Sequence, residues 1–121
     1  MATILIVDDD AMVRQILETL LETATYTTVS ARNGQEALLL VRAIRPTVIV
    51  LDIEMPIMNG AETLALLKAQ ADLAHIPVIG MTSHLSGATQ LREFAKHNIP
   101  YFTKPLDFPA LLQAIKEYSA G

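Results

Sequence analysis

Residues 48–60 read VIVLDIEMPIMNG. Three β-branched residues and a leucine in an unbroken apolar run describe a strand covered on both faces, the kind found inside parallel sheets flanked by helices. The run delivers an acid, Asp52, where the strand gives out, and Glu54, Pro56 and Gly60 follow at once. A carboxylate at the end of a buried strand is costly to desolvate and is seldom placed there for stability alone. The segment therefore marks both a central strand and a chemical site.

Outward from this stretch the chain alternates between two periodicities. Strands are expected at residues 3–7, 27–31, 48–51, 77–81 and 100–103, with helices at 11–24, 34–45, 60–71, 86–97 and 108–118. The first helix spaces Val13, Ile16, Leu17, Leu20 and Leu21 along one side, and the last does the same with Leu111, Leu112, Ile115 and Tyr118. Such alternation in 121 residues predicts one α/β domain over residues 1–121. Its parallel sheet has right-handed crossovers and helices on both faces. ILIV, VIVL and VIGM are continuous apolar runs, whereas TTVSA is polar and PYFT opens on a proline without an N–H. Strands two and five thus suit the edges, and the order 2-1-3-4-5 of a flavodoxin-like, doubly wound (βα)5 fold accommodates the pattern.

Composition removes several classes of function. The net charge is −4 and the nine basic residues are scattered, which argues against direct contact with nucleic acid. The absence of cysteine excludes disulfides and thiolate metal sites. No apolar run approaches the roughly 20 residues that span a bilayer, and MATILIVDDD lacks the features of a signal peptide. The expected setting is the cytoplasm, away from membranes.

Sites in open parallel sheets form beyond the carboxyl ends of the strands. There the sequence places Asp8, Asp9 and Asp10 after strand one, Asp52 after strand three, Thr82, Ser83 and His84 after strand four, and Lys104 and Pro105 after strand five. With that strand order, Asp8, Asp9, Asp52, Thr82 and Lys104 converge on one crevice. Several carboxylates in one pocket raise each other's pKa unless a cation sits among them. All-oxygen donors without histidine or cysteine suit Mg2+. A carboxylate held beside that ion can attack a phosphoryl group and become an aspartyl phosphate, with an ammonium and a hydroxyl neutralising the phosphoryl oxygens. GxxxxGK[ST] and GxGxxG motifs are absent, so a nucleotide cradle is unsupported.

ILIVDDD, LDIEMPIMNG, PVIGMTSH and YFTKP, in that order, closely resemble the motifs of the receiver domains of bacterial two-component response regulators, including single-domain chemotaxis-type regulators, over essentially the whole chain. The resemblance implies that Asp52 accepts a phosphoryl group from a phosphohistidine of a histidine kinase or a histidine phosphotransfer protein. It also implies that Asp9, Asp52 and the main-chain carbonyl of Glu54 ligate Mg2+, with Asp8 acting through water. Thr82 would turn toward the phosphoryl group and Tyr101 would move inward. These movements would reshape the fourth helix, fifth strand and fifth helix for a downstream protein or a second copy. A cis Lys104–Pro105 bond and a structural role for Gly60 belong to the same expectation, as does a switch that catalyses only its own phosphorylation and dephosphorylation.

Plainer readings stand beside these. Asp10, and even Asp9, can serve as a helix N-cap. Tyr101 can be simple edge-strand packing, and Val13 and Ile16 can be either core or a docking patch. Met55 and Met58 read as wedges for the loop, and His75, His84 and His97 as ordinary surface residues. Glu54 and His84 sit where the family tunes the lifetime of the phosphoryl group. KHNIPYF departs from the Gly-Ala pair common before strand five, with Asn98 able to take the left-handed stop. The functional alternatives are a receiver-like module that docks constitutively, a receiver cut from a larger hybrid kinase or transcription factor, and a metal-dependent phosphatase or mutase using Asp52 and Glu54.

Overall fold

A computed structural model of the chain describes residues 2–83 and 88–120. Five strands, β1 (Thr3–Val7), β2 (Thr27–Ala31), β3 (Val48–Asp52), β4 (Val78–Thr82) and β5 (Tyr101–Thr103), alternate with α1 (Ala11–Thr23), α2 (Gly34–Ile44), α3 (Gly60–Lys68), α4 (Ala88–Lys96) and α5 (Phe108–Ala120). All strand pairings are parallel and the order is β2-β1-β3-β4-β5, as the polarity of the strands predicted. The predicted start of the fourth helix at residue 86 lies outside the described residues.

The two-residue period of the strands sorts the core into two layers. Leu5, Val7, Ile49, Leu51 and Val78 face Ala37 and Val41 of α2, Leu64 and Leu67 of α3 and Phe94 of α4. Their neighbours Ile4, Ile6, Val48, Val50, Ile79 and Met81 face Leu17 and Leu21 of α1 and Leu111 and Ile115 of α5. Burial on both faces explains why the central strands are apolar without alternation.

Element ends follow from hydrogen-bond supply. β4 and β5 begin one residue later than predicted because Pro77 and Pro100 have no N–H. Their carbonyls still accept from Ile49 at 2.9 Å and from Gly80 at 2.8 Å. β3 and β4 reach one residue further, through Asp52 and Thr82, since Ile53 N–H donates to Met81 and Lys104 N–H to Thr82. α3 stops at Lys68, short of the predicted 71. Leu73 and Ile76 are buried, and the chain reaches them through turns bonded from Leu73 N–H to Gln70 and from Ile76 N–H to Leu73.

Caps secure the site end of the helices. Asp10 accepts from Met12 N–H at the start of α1, and Asn33 accepts from Glu36 N–H at the start of α2. Asn59 and Glu62 form a reciprocal capping box at α3. Asn98 takes a left-handed φ of 56°, the stop that the missing glycine required.

Candidate phosphoacceptor site

The parallel register assembles the site. Val7 of β1 pairs with Leu51 of β3, so the next residues, Asp8 and Asp52, leave the sheet side by side. Asp52 itself pairs with Met81, and Thr82 with Thr103, which carries Thr82 and Lys104 to the same edge. Gly60 completes the frame by donating its N–H to the Ile53 carbonyl at 2.8 Å. A Cβ there would sit 2.3 Å from the Asp52 carbonyl oxygen and 2.6 Å from Ile53 Cα, so only glycine lets α3 start this close to β3.

Asp8 is fully buried and Asp52 is 2% exposed. Lys104 Nζ donates to Asp8 Oδ2 at 2.9 Å and lies 3.5 Å from Asp52 Oδ2. The other oxygens are held by main-chain donors: Asp10 N–H on Asp8 Oδ1 at 2.9 Å, and Glu54 N–H on Asp52 Oδ1 at 3.1 Å. Burial, then the charge of Asp8 and more weakly that of Asp9, push the Asp52 carboxyl up to about 7, against the pull of Lys104 and the Glu54 N–H. Burial draws the Lys104 ammonium down, but its hydrogen bond to Asp8 and the charges of Asp52 and Asp8 outweigh this and hold it above its ordinary value.

One carboxylate oxygen each from Asp8, Asp9 and Asp52 lies within 4.8 Å of the others. Three acids face a single ammonium here, and among the described residues the cluster contains only hard oxygen donors. A divalent cation of the Mg2+ type fits both the charge deficit and the donor set.

Thr82 is buried, and its hydroxyl donates to the Ser83 carbonyl at 2.9 Å. Tyr101 is 48% exposed at the edge of the sheet, its Cβ close to Gly80. The Lys104–Pro105 peptide is cis. Asp10 is the N-cap of α1, its side chain accepting the Met12 N–H. Met55 packs against the core, as a wedge should. His97 is not simply solvated: its Nε2 pairs with Glu93 at 3.0 Å. His84 lies outside the described residues.

Two contacts were not legible in the sequence. Arg14 donates from Nη1 to the main-chain carbonyl of Asp8 at 2.8 Å, adding a cation behind the acids. The only sequence hint is a basic residue one turn into α1 behind the acid run. Glu54 Oε1 accepts from both the N–H and the hydroxyl of Ser83, at 3.1 and 2.8 Å. Pairing β3 with β4 in the observed register would have brought these two residues together on paper.

Comparisons with known proteins agree with this geometry. The family model described as the response regulator receiver domain matches residues 4–116. The polar-differentiation response regulator DivK of Brucella anthropi is 34% identical over 116 residues, covering 96% of this chain and 94% of that protein. The signal receiver domain of a signal transduction histidine kinase from Syntrophus aciditrophicus superimposes with a TM-score of 0.90 at 34% identity, covering 100% of this chain and 92% of that one. The chemotaxis protein CheY4 of Vibrio cholerae gives 0.86 at 27%, covering 98% of each. The chain belongs to the response regulator receiver domain family and is a signalling domain of the two-component type.

Proposed function

We propose that Asp52 is the phosphoacceptor of a receiver comprising residues 1–121, and that its phosphorylation is the signal. The observation that carries this reading is the meeting of a buried, strand-end carboxylate with Lys104 on one side and the oxygens of Asp8 and Asp9 on the other. An oxygen of deprotonated Asp52 attacks phosphorus on the phosphohistidine of a kinase or phosphotransfer protein. The P–N bond breaks with its electron pair going to nitrogen, and the donor's ring, already protonated on its other nitrogen, departs as neutral imidazole. Lys104, fixed by Asp8, offers its ammonium to the charge that builds on the phosphoryl oxygens. Asp9, Asp52 and the Glu54 main-chain carbonyl would hold Mg2+, with Asp8 acting through water, and the ion when bound would add positive charge near the same oxygens.

Thr82 supplies the switch by exchanging its bond to the Ser83 carbonyl for one to the phosphoryl group. Tyr101, paired with Gly80 across β4 and β5 and about half exposed, moves inward as the second part of the switch. That repacking alters the surface of α4, β5 and α5, where a downstream protein or a second copy docks. Met12 and Ile16 of α1 are exposed. Val13, Leu106 and Phe108 line an adjoining pocket of about 200 Å³ that reaches Lys104, an apolar seat for the phosphodonor beside the acceptor. In this reading the domain turns over only its own phosphoryl group, works in the cytoplasm and touches nucleic acid only through partners.

Incubation with a small phosphodonor such as phosphoramidate and Mg2+ tests the reading. Intact mass should show one added phosphoryl group on the wild type and none on Asp52→Asn or in EDTA. An undiminished adduct on the variant overturns it.

A further inference from the structure

The strand-end donors of β4 are already engaged by an anion belonging to the protein. Asp52 pairs with Met81 across β3 and β4, so Glu54 and Ser83, each two residues further on, emerge next to one another. Glu54 Oε1 accepts the Ser83 N–H at 3.1 Å and the Ser83 hydroxyl at 2.8 Å. The hydroxyl of Thr82 donates back to the Ser83 carbonyl at 2.9 Å. Ser83 is thus clasped through its N–H, its hydroxyl and its carbonyl, and the clasp ties the loop after Asp52 to the end of β4. The main-chain N–H of Glu54 also donates to Asp52 Oδ1, which places this loop directly on the acceptor carboxylate.

A phosphoryl group on Asp52 brings a charge of about −1.5 to −2 and three acceptor oxygens. Lys104 flanks the carboxylate from the end of β5, and among the described residues the donors at the end of β4 include the Thr82 hydroxyl and the N–H and hydroxyl of Ser83. A carboxylate seated on Ser83 takes up donors next to the acceptor, and two anions cannot share those donors in a half-buried site. We propose that Glu54 is an internal stand-in for the phosphoryl group, a latch that holds the Ser83 donors in the resting protein and must release them when Asp52 is phosphorylated. Glu54 is a positioning residue: it acts through Ser83 and sets the balance between resting and phosphorylated forms. The inference rests on Asp52 being the acceptor.

Beryllium fluoride with saturating Mg2+ serves as a stable phosphoryl analogue. Its affinity is measured for the wild type, Glu54→Ala and Glu54→Asp, alongside the Ser83 amide signal by NMR. Removing the latch frees two charge-assisted bonds, so Glu54→Ala is expected to bind the analogue roughly tenfold more tightly. Glu54→Asp keeps the charge but withdraws the carboxylate from Ser83, and should tighten nearly as much. In protein without Mg2+, the Ser83 amide should shift in both variants relative to the wild type.

Unchanged or weaker binding by Glu54→Ala overturns the latch and leaves the acceptor reading intact. Tightening by Glu54→Ala with wild-type affinity in Glu54→Asp assigns the effect to charge alone and also overturns it. A Ser83 amide that does not move in either variant does the same. A wild type that binds no analogue removes the acceptor reading and the latch together.

Discussion

Replacing Asp52 with asparagine should make the protein without metal more stable, and increasingly so as pH rises. The folded protein holds the Asp52 proton up to about 7, whereas an ordinary aspartate releases it near 3.8. Between those values the folded state binds more protons than the unfolded one, so stability falls as pH climbs through that window. The contribution is fully present below 3.8 and is lost by the time pH passes 7. At about 1.4 kcal/mol per pH unit, the accumulated loss is about 1.5 kcal/mol at pH 5 and about 4 kcal/mol at pH 8. Asparagine is a neutral isostere and leaves the 2.9 Å bond between Lys104 and Asp8 in place. The variant's advantage should therefore grow by about 2.5 kcal/mol between those two pH values. Any fixed difference in amide hydrogen bonding cancels in that comparison. The assay is urea denaturation of both proteins in EDTA at each pH, with equal m-values as the check on two-state unfolding. In saturating Mg2+ the advantage should shrink or reverse, because binding to the native wild type stabilises it by mass action. An advantage that stays flat with pH in EDTA, or one that shrinks between pH 5 and pH 8, would contradict a raised Asp52 proton affinity in the folded state.

Three other perturbations follow from the same geometry. Lys104→Ala strands Asp8 and Asp52 as buried acids; urea denaturation in EDTA should show a loss of about 3–5 kcal/mol, while Mg2+ titration should show tighter binding because the competing ammonium is gone. Ile57, a β-branched residue 73% exposed at a left-handed φ of 71°, sits in a tight turn closed by the Met58 N–H on the Pro56 carbonyl. Ile57→Gly should raise stability by about 1 kcal/mol, visible as a higher urea midpoint. Gly60→Ala should lower the thermal midpoint markedly, since overlap with β3, at about 2–3 kcal/mol, outweighs the roughly 0.5–1 kcal/mol that alanine gains in a helix.

The sheet was legible because its central strands are buried on both faces, which leaves ILIV, VIVL and VIGM unbroken and TTVSA polar. The acids and Lys104 were legible as members of the cluster because charge at the end of such a strand has few structural reasons to exist. Contacts that depend on register or on the main chain were hidden. Arg14 bonds a carbonyl, which no side-chain pattern reports, and the Glu54–Ser83 pair exists only once Asp52 is set opposite Met81. The early end of α3 was hidden for a related reason. Helical periodicity continues through ALLKAQA, but burial of Leu73 and Ile76 requires the chain to turn. The left-handed backbone at Ile57 gives no sequence signal, since an isoleucine is among the last residues expected to adopt it.

The carboxylate of Asp52, and no other group, is expected to become phosphorylated. Treatment with phosphoramidate and Mg2+, reduction of the acyl phosphate by borohydride, and peptide mapping test it most directly. The reduced residue should be Asp52 alone, and omission of Mg2+ should abolish the modification. Reduction at Asp8 or Asp9 with Asp52 untouched, or phosphate found only on a histidine or a hydroxyl, would contradict it.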